Sequence, residues 1–228
     1  MSRTGWSATN FERYAGAIVT AAPVTISAWA WTSISSATKQ KIAGIFNSAS
    51  TGDNNSFIIQ VDANKISAIT GGNSGTATAS TTFGPSVNTW FHACGVFASA
   101  SSRAAYINGG GKGTDATGTT PSGLNRTSIG KRDNAGAAEE FAPAGTGYIA
   151  DVAIWNVALT DAEVLSLSTG ISPLKIRPAS LQFYSPMIGE GTGDPNLINA
   201  ATAMAIQGTL TQGPQPPLIM PRRNIIFP

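Results

Sequence analysis

The sequence holds a single cysteine, Cys94, and a single histidine, His92. A lone cysteine closes no internal disulfide and supplies no cysteine-rich zinc site, so stability has to come from packing. One histidine makes no histidine-rich metal centre and leaves a Ser-His-Asp hydrolase no second base to choose from. Charge is scarce as well: 11% of the 228 residues are Asp, Glu, Lys or Arg, with a net charge of +2, against roughly 25% charged residues in an average soluble chain. Nucleic-acid binding needs a dense Lys/Arg stripe and is excluded on that ground. No apolar run approaches the roughly 20 residues that cross a bilayer. The nearest, AGAIVTAAPVTISAWAW, is broken by Pro23 and several hydroxyl residues, so no membrane association is expected. The opening MSRTGWSATNFERY puts Glu12 and Arg13 where the apolar stretch of a secretory signal would lie, and no signal peptide is expected.

What the chain does have is 42% hydrophobic residues, 25 glycines and 13 prolines. Short stretches rich in Val, Ile, Thr, Trp and Phe recur between Gly/Asn/Ser/Pro clusters, the pattern of an all-β sandwich or barrel. Strands are expected at Val24–Thr32, Lys41–Asn47, Ser56–Asp62, Lys65–Thr70, Thr89–Ala98, Arg103–Ile107, Thr127–Lys131, Gly147–Trp155 and Ser180–Ser185. In the first of these, alternation puts Val24, Ile26, Ala28 and Ala30 on one face and Thr25, Ser27, Trp29 and Trp31 on the other, with no charge on either. That is an interior strand. Asp62-Ala63-Asn64-Lys65 and Asn108-Gly109 suit tight hairpins, because Asn and Gly tolerate the positive φ of a type I′ turn.

Only Asp161 to about Thr169 reads as a helix: Thr160 and Glu163 have the spacing of a capping box, and Gly170 closes the segment. Beyond one further strand, Ile188–Gln212 reads as loop-rich. Residues 1–212 are expected to form the domain and residues 213–228 an extended tail, since Pro214, Pro216, Pro217, Pro221 and Pro228 keep it out of a sheet. Leu218, Ile219, Met220, Ile225, Ile226 and Phe227 would be costly to leave in water, and Arg222 and Arg223 are suited to pairing with carboxylates. This segment, Leu218–Pro228, is therefore the expected partner-binding element, docked on a neighbouring chain.

Three stretches in order resemble the laminin-G-like, concanavalin A-like jelly-roll family: APVTISAWAW; NTWFHACGVF with AAYINGG; and TSIGKR leading to GYIADVAIWNVALTDAEVLSL. The family shows there a strand with Ser-x-Trp, a Trp-x-His strand paired with a Tyr-x-Asn-Gly hairpin, and a Gly-x-Ile-x-Asp/Glu-Val strand ending in a small helix. The resemblance spans about Asn10 to Gly170 and implies an all-β jelly-roll sandwich with one short helix and an extended Pro-rich tail. Downstream, SLQFYSPMIGEGTGDPNLI and GTLTQGPQPPLIMPRRNIIFP are similar to the ends of laminin-G-like proteins encoded by bacteriophages and prophages.

The remaining motifs point away from catalysis. His92 and Cys94 share a strand face, as a thiol nucleophile and its base would, but Trp90, Phe91, Val96 and Phe97 around them mark interior positions. Glu139 and Glu140 are adjacent rather than alternate, so they do not form the carboxylate pair of a glycosidase. Gly109–Thr114 lacks the Lys-Ser/Thr step and the helix of a phosphate-binding loop, and reads as a flexible hairpin tip. The resemblance makes a rim calcium conceivable, with Asp53, Asp133 and Asp151 as its carboxylates, although no resident cofactor is required. Trp29, Trp31, Trp90 and Trp155 fall at family core positions and are expected to be buried, leaving Trp6 and Tyr14 as the surface aromatics.

No catalytic residue is expected. The resemblance implies a structural virion protein of a bacteriophage, made in the host cytoplasm. Its expected role is capsid decoration or cement, attached to the major capsid protein and homo-oligomeric. The rival expectation is a carbohydrate-binding module for host recognition on a phage tail or fibre, with hydrogen bonds from the expected loops Gly71–Thr82 and Gly130–Thr146.

Overall fold

A computed structural model of the chain describes residues 1–73, 75–142, 146–188 and 193–217. The tail Leu218–Pro228 lies outside the described residues. The chain forms β1 (Ser2–Thr4), β2 (Phe11–Tyr14), β3 (Val24–Thr32), β4 (Gln40–Phe46), β5 (Ser56–Asp62), β6 (Lys65–Gly72), β7 (Gly75–Ser80), β8 (Phe91–Ser99), β9 (Ser102–Ile107), β10 (Gly110–Asp115), β11 (Arg126–Ile129) and β12 (Gly147–Trp155). Then come helix α1 (Asp161–Ser168), β13 (Leu181–Ser185), β14 (Gly193–Asp194), β15 (Met204–Gln207) and β16 (Thr211–Gly213). One sheet has the order β10-β9-β8-β3-β12-β1-β16, with β13 also pairing β12; the other runs β14-β15-β2-β11-β4-β5-β6-β7. Every pairing is antiparallel, as suits a jelly-roll sandwich.

The strand parity read from the sequence holds in β3: Val24, Ile26, Ala28 and Ala30 enter the core between the sheets, packed with Phe57, Ile59, Phe91 and Phe97. Both expected hairpin turns have their backbone in the left-handed region, at Ala63 and Asn64 (φ 47° and 61°) and at Asn108 and Gly109 (φ 50° and 72°). The capping box of α1 is complete, with the Thr160 hydroxyl accepting from the Glu163 N–H and the Glu163 carboxylate accepting from the Thr160 N–H. The helix lies over one end of the first sheet's outer face, where Val164 and Leu167 join a second apolar cluster around Trp155.

Several expectations are corrected. Gly110–Asp115 is strand β10 rather than a flexible hairpin tip, and Gly71–Thr82 contains strand β7 rather than a loop. Ile188–Gln212 contains the short strands β14 and β15 and reaches into β16, which spans the expected 212/213 boundary. Strands β1 and β2, unmarked in the sequence, close the sandwich at its other end. There Arg3 of β1 reaches Asp194 of β14, Nε to Oδ2 2.6 Å, with Glu12 of β2 3.9 Å from the same nitrogen. This buried charge group ties the first strands to the last. Trp6 is not a surface aromatic: only 6% of it is exposed, and its indole N–H donates to the Arg3 carbonyl (3.1 Å).

Candidate functional site

The outer face of the first sheet divides into a covered part and an open part. Helix α1 and the segment after it cover Cys94, Val96 and Trp155. At the margin of that cover, beside Leu167, Ile171 and Pro173, Trp29 and His92 meet edge to face, with centroids 5.5 Å apart. Farther along, Trp31 at the end of β3, Trp90 just before β8 and Tyr148 at the start of β12 are each half-buried. The Tyr148 ring lies 4.9 Å from Trp31 and 6.1 Å from Trp90, which makes one contiguous aromatic patch. Gly213 of β16 presses against the side of Tyr148; a Cβ there would come within 2.5 Å of the ring, so only glycine allows the approach. Beside the patch is a crevice of about 150 Å³, whose walls include Trp90, Phe83, Pro85, Thr89 and Asn108.

Two of the tryptophans expected in the core, Trp31 and Trp90, therefore belong to a partly open surface. Alternation put Trp31 on the face opposite Val24 and Ile26, which the structure makes the outer one, and the cover over that face stops short of it. Trp90 lies outside β8, which begins at Phe91. The expected cost of Trp90→Ala is accordingly about 1–2 kcal/mol, below the roughly 3–5 kcal/mol of a fully buried tryptophan. A shift of the urea midpoint as large as that of a core truncation would contradict this placement.

The other sequence candidates are held in structural roles. His92 is 1% exposed, its Nε2 lies 2.8 Å from the Ser27 hydroxyl, and burial drives its pKa from 6.5 down to about 3. It is neutral at ordinary pH. Burial pushes the Cys94 thiol up, so the reactive thiolate is disfavoured. The Glu139 carboxylate is taken up by Lys41 (3.0 Å) and Arg132 (3.1 Å), while the backbone of Glu140 pairs with that of Lys131.

A calcium site does not fit the donor set. Burial raises the Asp53 carboxyl, but Lys41 at 2.8 Å and Arg132 at 3.1 Å outweigh it and hold the group below the usual carboxylate range. Asp133 pairs with Arg13 (2.5 Å) and Arg126 (3.6 Å). Asp151 sits in a β-bulge of β12 with φ 49° and accepts a hydrogen bond from the Tyr184 hydroxyl (2.6 Å). Burial raises its pKa despite that bond. Among the described residues, no three His, Cys, Asp or Glu side chains converge as a metal site. A wider trough of about 590 Å³ beside α1 has a floor of small and aliphatic side chains, and its charged groups are engaged with one another, Lys112 with Asp161 and Arg103 with Asp115.

The two antiparallel sheets and their arrangement define a jelly-roll β-sandwich, and its open feature is an aromatic surface. Residues 8–165 match the laminin-G-type model of the Concanavalin A-like lectin/glucanases superfamily, and the chain belongs to that family. Among solved structures it is similar to a carbohydrate-binding candidate from Bacteroides ovatus, with TM-score 0.60 and 15% identity, covering 92% of this chain and 60% of that one. It is also similar to the heptameric SAP-like pentraxin of Limulus polyphemus, with TM-score 0.56 and 19% identity, covering 75% of this chain and 83% of that one. At such identities the likeness is one of fold. No curated protein sequence matches the chain.

Proposed function

We propose that the domain is a non-catalytic carbohydrate-binding module that presents Trp31, Tyr148 and Trp90 to a glycan. The observation that carries this reading is the contiguous, half-buried patch of three rings. Apolar ring faces beside wet polar tips suit a ligand that, like a pyranose, alternates C–H faces with hydroxyls. The rings are held by strand pairing at Trp31–Tyr148 and by Gly213, so little order is lost on binding. The Bacteroides ovatus relative supports the same reading at the level of fold. The larger trough is the weaker choice because its ion pairs would have to be broken to receive a ligand.

Trp31→Ala is expected to weaken glycan binding by about 30-fold, the roughly 2 kcal/mol of a contact hot spot. Glycan-array screening followed by titration calorimetry on wild type and variant tests it. Unchanged affinity in a folded variant would remove the patch from the reading.

A structural virion role is a second reading, favoured by the resemblance of the C-terminal sequence to phage-encoded relatives. In that case the partner is a capsid or tail protein, and Leu218–Pro228 is the docking segment. The two readings meet in a particle-bound module that reads host glycans. Deleting Leu218–Pro228 should leave the sandwich folded and lower its occupancy on particles; wild-type occupancy would overturn the docking role.

A further inference from the structure

The crevice beside Trp90 differs from the aromatic patch in a way that bears on what kind of glycan is read. Among the described residues, its lining contains no ionisable side chain. An anionic sugar seated there would give up hydration with no countercharge to replace it, which is strongly unfavourable. The lining instead offers the hydroxyls of Ser86 and Thr89 and the amide of Asn108, beside the apolar surfaces of Phe83, Pro85 and Trp90. At about 150 Å³ the space is smaller than the roughly 300–1,000 Å³ of pockets for drug-sized ligands, so it suits one ring-sized unit.

Two features preorganise it. Asn108 takes the left-handed conformation (φ 50°), donates its backbone N–H to the His92 carbonyl (2.9 Å) and accepts the His92 N–H on its side-chain oxygen (2.8 Å). Its amide oxygen is thus engaged, while no partner of its Nδ2 is found among the described residues. Phe83 is 54% exposed, yet its backbone is pinned: its carbonyl accepts from the Thr81 hydroxyl (2.6 Å), and the neighbouring Thr82 N–H donates to the Gly111 carbonyl (2.9 Å). The Phe83 ring rests on Gly111, where a Cβ would come within 2.8 Å of it. A large exposed ring held in this way is a poor choice for stability and a good one for contact.

Trp90 belongs to both features, lining the crevice and contacting Tyr148 in the patch. We infer that the crevice is a subsite for one uncharged sugar unit, with Asn108 donating a hydrogen bond to it and the glycan continuing over Trp90 onto Tyr148 and Trp31. This rests on the carbohydrate reading and narrows it to neutral glycans of at least two units.

The test is titration of the full chain with uncharged oligosaccharides of one to six units (β-1,4-glucose, β-1,4-N-acetylglucosamine and β-galactose series) and with heparin and polysialic acid as charged probes. Asn108→Asp keeps the acceptor for the His92 N–H and still suits the turn before Gly109, but it exchanges the free amide donor for a carboxylate oxygen. Phe83→Ala removes an exposed wall without touching the core. Both are expected to lower affinity for the best neutral ligand about tenfold or more at an unchanged unfolding midpoint, and affinity should rise from one unit to two or more. Wild-type affinity in both variants, with Trp31→Ala still defective, would overturn the subsite and leave the carbohydrate reading standing. Tightest binding to heparin or polysialic acid would overturn the neutral assignment. No binding by any probe would overturn both.

Discussion

Trp155→Ala is expected to destabilise the domain by about 3–5 kcal/mol, the range for truncating a large aromatic in a core. The side chain is fully buried at the end of β12, among Val96, Leu159, Leu167 and Leu181. Its indole N–H also donates to the Ile176 carbonyl (2.8 Å), so truncation opens a cavity and removes the partner of a backbone acceptor. Because this ring lies under α1 and the segment that follows it, the loss should be felt first there, as lower hydrogen-exchange protection of α1 and β13 than of β4–β6. Trp155→Phe, which keeps an aromatic but drops the hydrogen bond, should fall between wild type and alanine. Urea unfolding measures the order, and a Trp155→Ala midpoint within error of wild type would refute the role assigned to this ring.

The second large effect is a dependence on pH. Burial holds the His92 pKa at about 3, against 6.5 for an ordinary histidine. Between those values the unfolded chain binds a proton that the native protein does not, so the His92 contribution is complete above 6.5 and is lost as pH falls. The slope is about 1.4 kcal/mol per pH unit. Glu12 works with the opposite sign: burial and the nearby Asp194 carboxylate hold its pKa well above the usual range, so its native form is favoured as pH falls. The comparison that isolates the histidine is wild type against His92→Gln, which cannot titrate. Going from pH 6.5 to pH 4, wild type should lose ground to the variant along that slope in urea titrations. Parallel stability curves for the two proteins would mean that His92 is protonated in the native state.

Elements governed by local chemistry were legible in the chain. Strands β3, β5 and β12 have the expected limits because each carries seven to nine residues of β-forming sequence between turn signals. The Asn108-Gly109 turn and the Thr160/Glu163 cap were equally clear, since both are set by residues within four positions of one another. The family motifs covered the same region, and the matching family model spans residues 8–165. Strands β1, β2, β14, β15 and β16 carry two to four residues each and show no usable period. They exist because longer neighbours offer backbone partners.

The candidate site falls on the same divide. By itself the sequence determined the sandwich, the division of β3 into two alternating faces, the helix after Thr160, and the scarcity of charge, histidine and cysteine. Periodicity assigns a residue to a face, and short-range hydrogen bonds assign turns and caps, so those conclusions need no knowledge of distant contacts. Which outward residues stay open was decided only by the tertiary structure. Trp29 and Trp31 are two positions apart on the same face, yet Trp29 is buried and Trp31 half-open, because the cover supplied by residues after Leu159 reaches one and not the other. Trp6 is closed in although it lies outside every family motif, and Tyr148 joins Trp31 and Trp90 although 117 and 58 positions separate it from them. Exposure depends on what packs above a side chain, a property of chain segments far apart in sequence, and it is this property that makes the aromatic surface.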